Sequence, residues 1–130
     1  MRANIVYSRY LFLFAGLSGL LILLPFYFLE DFLSRNDPPP ITHPEFYYGF
    51  VGVAVACQLL FLVIAADPVR FRPMMIPAMV EKATYGVAVM VLWSQGRISA
   101  GPVLGGAMDL TLGVLFAVSF VALRNEKWVR

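Results

Sequence analysis

Cysteine and histidine are almost missing from this chain: Cys57 and His43 are the single examples of each. A lone thiol makes no intrachain disulfide and, by itself, no metal site, which excludes paired-thiol redox chemistry of the thioredoxin or vitamin-K-reductase kind. Cys57 lies mid-way along an apolar run and reads as a small packing residue. His43 sits in a loop beside Pro44 and Glu45, with no second credible ligand at nearby spacing. Neither haem nor metal is expected. Charge is scarce too, at 14% of residues with a formal net charge of +2. There is no Gly-rich phosphate loop, heptad register or low-complexity tract. No cofactor and no nucleic-acid partner are expected.

What is abundant is apolar surface, at 60% of residues. It falls into four stretches, Leu11–Leu29, Phe46–Ala66, Met74–Trp93 and Val103–Leu123, each of about 19 to 21 residues. A bilayer core of roughly 30 Å is crossed by about 20 helical residues. Hydrocarbon offers a backbone no hydrogen-bond partner, so such segments cross as helices. The longest break, Glu30–Glu45, is about 16 residues and holds no soluble domain. The expectation is an all-α chain forming one transmembrane domain over residues 1–130, with membrane lipids around it.

The basic residues set the orientation. Arg2 and Arg9 precede the first stretch, Arg70 and Arg72 follow the second, and Arg124, Lys127 and Arg130 follow the fourth. Lys82, near the start of the third, is grouped with them as a side chain snorkelling to the same interface. Only Arg35 and Arg97 lie at the other breaks, a ratio of eight to two. The positive-inside rule then puts both termini in the cytoplasm. The first stretch is longer than the 7–15 residues of a signal-peptide core and has no tidy small-residue cleavage site, so it reads as an uncleaved signal-anchor.

Helix breakers mark the boundaries. Asn36-Asp37-Pro38-Pro39-Pro40 cannot be helical. Asp67-Pro68 stops the second stretch, Pro73 and Pro77 open the third, Gly96 ends it, and Gly101-Pro102 opens the fourth. Short loops predict an up-down-up-down four-helix bundle. Close helix approach in lipid uses small residues. Ala15-x-x-x-Gly19, Gly52-x-x-x-Ala56 and the stripe Gly106, Asp109, Gly113, Ala117 are the candidate contact faces. The last stripe points Asp109 into the bundle. Tyr7, Tyr10, Phe46, Tyr47, Tyr48, Trp93 and Trp128 fall near expected interfaces, as an aromatic belt.

Gln58, Glu81 and Asp109 are polar residues inside the spans. An acid at mid-bilayer costs about 2.5–3.5 kcal/mol on insertion scales and faces a partner or a water-filled cavity. At 1.5 Å per residue, Gln58 and Glu81 lie at similar depth, about 18 Å below the outer boundary for Gln58. Tyr85 is one turn beyond Glu81 on the same face. Gln58, Glu81 and Tyr85 therefore form one candidate ligand-binding or proton-handling cluster, with a plain interhelical contact as the alternative. Adjacent Glu81 and Lys82 diverge by about 100° and read as a poor pair. Asp109, about 10 Å from the outer boundary, has Arg97 as its nearest obvious cation. It either braces that loop or lines an outward cavity. The two acids are expected about 10 Å apart in depth.

From Phe46 onward the chain resembles the DoxX-like small four-helix bacterial membrane proteins. The matching features are Asp67-Pro68-x-Arg70-Phe71-Arg72, then Lys82 early in the third span, then Gly96-Arg97 before Gly105-Gly106-x-x-Asp109. The resemblance covers roughly residues 46–123 and implies a bacterial inner-membrane location. Some members are accessory subunits of membrane oxidoreductase systems. Arg70, Arg72, Arg97 and Asp109 carry over as positions typical of the pattern. Sterol-isomerase-type bundles are more distantly similar, but they keep a histidine inside the membrane, whereas His43 is in a loop.

No nucleophile–base pair is written in the chain. The leading expectation is a non-enzymatic accessory or scaffold subunit, or a binder of a lipid-soluble molecule such as a quinone. A membrane protein partner or a homo-oligomer fits that reading. The alternatives are a proton-coupled carrier working as a homodimer, or a membrane enzyme using Glu81 or Asp109 as acid and base on a lipidic substrate.

Overall fold

Pro25 sets the first boundary. It has no N–H with which to continue an α-helical ladder. In the computed structural model, which describes residues 2–128, helix α1 (Arg2–Leu23) accordingly tightens into a 3-10 turn over Leu24–Phe28. A short helix α2 (Glu30–Asn36) follows, and then α3 (Pro44–Ala66), α4 (Met75–Ser94) and α5 (Gly101–Ala122). The chain is all-α among the described residues. Four segments are long and apolar enough to cross a membrane: Arg2–Phe28, Pro44–Ala66, Arg72–Ser94 and Gly101–Ala122. Arg130, counted above with the basic C-terminal segment, lies outside the described residues.

The expected breakers act where their chemistry places them. Pro44 and Pro102 occupy the first turns of α3 and α5, where a missing N–H costs nothing. Asp67 ends α3, its carboxylate accepting the Arg70 N–H at 3.1 Å. After α4, Gly96 takes a left-handed φ of 69°, a conformation that side-chain-bearing residues rarely adopt.

Two boundaries depart from expectation. The first helix begins at Arg2 rather than Leu11, because nothing in residues 2–10 breaks a helix and their side chains find partners. Ser119 donates to the fully buried Ser8 at 2.6 Å, and Arg9 Nη2 donates to the Ala66 carbonyl at 3.3 Å. The break Glu30–Glu45 contains α2, whose first turn carries Glu30 and Asp31 and whose last carries Arg35, the charge order that a helix dipole favours.

Packing joins α1 to α3 and α4 to α5 most extensively, with α1–α5 and the thinner α3–α4 seam joining the two pairs. The end that holds the N-terminal half of α1 and the C-terminal half of α5 is dense. Phe12 stacks on Phe116 with ring centroids 4.2 Å apart, and Phe61 meets Phe116 edge-on at 5.1 Å. All three rings are fully buried. Arg72 closes this end from below, donating to the Phe120 carbonyl at 2.8 Å while its guanidinium lies 3.9 Å from the Phe120 ring. Trp128, expected at headgroups, donates to Asp67 at 3.0 Å. Many large apolar side chains are exposed on the outside, among them Phe14, Leu21, Val53 and Val114.

Small residues set the close approaches, though not all those expected. Gly106 faces Val89 and Gly113 faces the Lys82 stem, as the α5 stripe requires. Gly16 and Gly19 of α1 face Leu62 and Gln58 of α3. Gly52 and Ala56 do not form a contact face: a Cβ at Gly52 would meet only the Tyr27 hydroxyl, at 3.6 Å, and Ala56 is exposed.

Candidate functional site

The opposite half of the bundle is hollow. A cavity of about 710 Å³ opens above the phenylalanine core, among α1, α3, α4 and α5. Its walls are mainly apolar, among them Ile22, Phe50, Ala54, Leu104 and Leu112. The first loop roofs it through Leu33, Asp37, Pro38 and Ile41. Ser99 Oγ latches that roof by donating to Asp37 Oδ1 at 2.8 Å, and Tyr47 and Tyr48 brace it by donating to the Phe26 carbonyl and to Glu30.

The floor is charged. Lys82 is 5% exposed, yet its ammonium reaches Asp109 Oδ1 at 2.9 Å and Glu81 Oε2 at 3.4 Å. The Lys82 Cβ lies level with Gly113, one turn from Asp109 on α5. The lysine stem therefore climbs a full turn to bring Nζ to Asp109. The missing side chain at Gly113 gives that stem room, since even a methyl there would stand 3.3 Å from Lys82 Cβ. Below the ammonium lies the Phe61 ring, 5.3 Å from Nζ to centroid. Lys82 thus sits at the boundary between packed core and cavity.

Three sequence expectations are corrected by this geometry. Lys82 does not snorkel to an interface; it is a buried cation inside the bundle and leaves the interfacial charge count. Glu81 and Lys82 do pair, because two long side chains bend toward one another even though their Cα–Cβ bonds diverge. Glu81 and Asp109 are not kept apart by depth, since both reach one ammonium. The Glu81 contact is the weaker: its Oε2 is buried and misaligned, with no hydrogen-bond partner among the described residues.

The other candidates gather less tightly. Gln58 is 2% exposed and lines the cavity, but its amide donates to Ala54 O of its own helix at 3.0 Å instead of joining Glu81 and Tyr85. The Gln58 side chain fills the space left by Gly19, where a Cβ would overlap it. Tyr85 does line the cavity, its ring stacked on Phe50 with centroids 5.7 Å apart. Arg97 is exposed at the cavity mouth and reaches Gln95 Oε1 at 3.5 Å, so it is not the partner of Asp109. His43 is exposed and 3.3 Å from Glu45.

Lys82 is the residue of this candidate site that sequence reasoning missed. A signal was present: it lies seven residues into α4, about 10 Å along the axis, too deep to be an edge residue by default. Among the described residues, no group of three or more His, Cys, Asp or Glu side chains stands close enough to hold a metal ion. Comparison of the chain with protein-family models, curated proteins and solved structures finds no match in any of the three.

Proposed function

We propose that the chain is an integral membrane four-helix bundle that holds a lipid-soluble small molecule in the cavity above Lys82. The observation that carries this reading is the cavity itself: an apolar chamber of about 710 Å³ with one compact charged cluster at its floor. Apolar walls with a few convergent polar groups are the usual make-up of a small-molecule site. Buried ionisable groups within membrane spans mark functional positions more often than structural ones.

In this reading the bundle lies in the inner membrane with both termini cytoplasmic. With Lys82 removed from the count, seven basic residues at one set of breaks still face two at the other. The cavity then opens in the outer half and the phenylalanine core seals the cytoplasmic half. The DoxX-like resemblance of residues 46–123 agrees with a small bacterial bundle and with an accessory role beside a partner protein. The proton-coupled carrier reading needs Glu81 and Asp109 to exchange protons and the membrane-enzyme reading needs one or the other, and their shared contact with Lys82 is the feature that favours both readings.

The test is purification in mild detergent followed by mass spectrometry of co-purifying molecules, beside a Gly105→Trp variant that fills the cavity. A molecule retained by the native chain and lost from the folded variant supports the reading. Identical small-molecule content in both contradicts it.

A further inference from the structure

Two carboxylates meet one ammonium at the cavity floor, and the shortfall has an address. Asp109 takes the short 2.9 Å contact with Lys82, leaving Glu81 at 3.4 Å with a buried oxygen that no hydrogen bond satisfies. The other charged groups that line the cavity, Arg97 and Asp37, are opposite in sign and stand at its mouth. Of the two acids, Glu81 is therefore the one that Lys82 satisfies less completely.

Glu81 also occupies a junction. On the outer face of the α3–α4 seam lies a shallow groove of about 330 Å³, formed by Phe50, Val53, Ala54, Glu81, Thr84 and Tyr85. Four of these residues, Phe50, Ala54, Glu81 and Tyr85, line the main cavity as well. Glu81 thus lines both the apolar chamber and the outer groove, next to the stacked rings of Phe50 and Tyr85. A carboxylate beside aromatic faces in an apolar setting is the chemistry that recognises organic cations. Among the described residues, no three His, Cys, Asp or Glu side chains stand close enough here to hold a metal ion.

Resting on the cavity-binding reading above, we infer that the ligand class is a lipophilic organic cation, its charge held between Glu81 and the Phe50–Tyr85 pair. Its apolar body occupies the chamber. Lys82 holds Asp109 more closely than Glu81, which leaves Glu81 the greater capacity for a second partner. An anionic amphiphile meets the unbalanced carboxylate and is rejected.

The experiment uses the full chain in nanodiscs of zwitterionic phosphatidylcholine, with empty nanodiscs as the background. Equilibrium dialysis measures tetraphenylphosphonium against the neutral triphenylphosphine oxide and the anion tetraphenylborate. Saturable binding of the cation at least ten-fold tighter than either comparator is expected. Glu81→Gln should remove that preference, and Glu81→Asp should keep part of it. Because the charge preference is read on the native chain, a variant that fails to fold does not blunt the test. A neutral probe that binds as tightly as the cation overturns this inference and leaves the cavity reading standing. An unchanged cation affinity in folded Glu81→Gln overturns it too. If no probe binds saturably, the inference and the cavity reading fall together.

Discussion

Lys82 Nζ stands 2.9 Å from Asp109 Oδ1, across the α4–α5 interface and almost out of contact with solvent. Removing one member of such a buried pair strands the other, at a cost of about 3–5 kcal/mol. Lys82→Met should therefore destabilise the bundle by about that amount, because it leaves two carboxylates without a cation. Lys82→Met combined with Asp109→Asn should be milder than the sum of the single changes. Reversible unfolding in bicelles measures the cycle. Strict additivity would mean that the two side chains do not interact.

That pair also shows where sequence reading reaches its limit. The inward aim of Asp109 was legible, because Gly106 and Gly113 share its stripe and small residues mark the contact face. The span limits after residue 44 were legible within about two residues, because Pro and Gly punctuate them through backbone chemistry. Lys82 was legible only in part, because its depth along α4 was a signal but the aim of its side chain was not. A lysine stem can run a full turn in either direction along a helix, so depth estimated from Cα positions misplaces its ammonium. The same freedom let Glu81 and Lys82 meet despite diverging bonds. Helix α2 was hidden by its proximity to three consecutive prolines and by its short length. The hollow half of the bundle depends on how helix pairs splay, which no local pattern records.

The α4–α5 approach depends on Gly86. A Cβ there would stand 2.5 Å from Leu110 Cγ and 3.0 Å from the Gly106 carbonyl. The leucine can move, but the backbone oxygen cannot move without separating the helices. Gly86→Ala should cost about 1–3 kcal/mol by overpacking. Gly49→Ala, at a position with nothing within 4 Å, should be neutral or slightly stabilising. Parallel unfolding curves for the two variants decide the matter.

The roof latch should act on access more than on stability. Ser99→Ala removes the 2.8 Å bond to Asp37, an exposed contact worth about 1 kcal/mol at most. In a Cys57→Ala background carrying Met108→Cys in the cavity wall, a water-soluble maleimide should react several-fold faster once the latch is gone. An unchanged labelling rate would show that the first loop does not govern entry.

Orientation follows from the basic residues. Single cysteines at Arg70 and Arg97, in the same Cys57→Ala background, should label from opposite faces of sealed membranes. Labelling of Arg70→Cys only after permeabilisation, and of Arg97→Cys before it, agrees with cytoplasmic termini. The reverse pattern inverts the topology, and labelling of both from one face removes the four-span bundle.

The most direct test of the central claim places a photoreactive benzoylphenylalanine at Leu112, in the cavity wall, and in a second variant at Val114, which is 64% exposed on the outer surface. After irradiation in native membranes, intact-mass spectrometry reads what each position touches. A discrete small-molecule adduct is expected at Leu112, different from the bulk-lipid adducts at Val114. The same bulk-lipid distribution at both positions would contradict that claim.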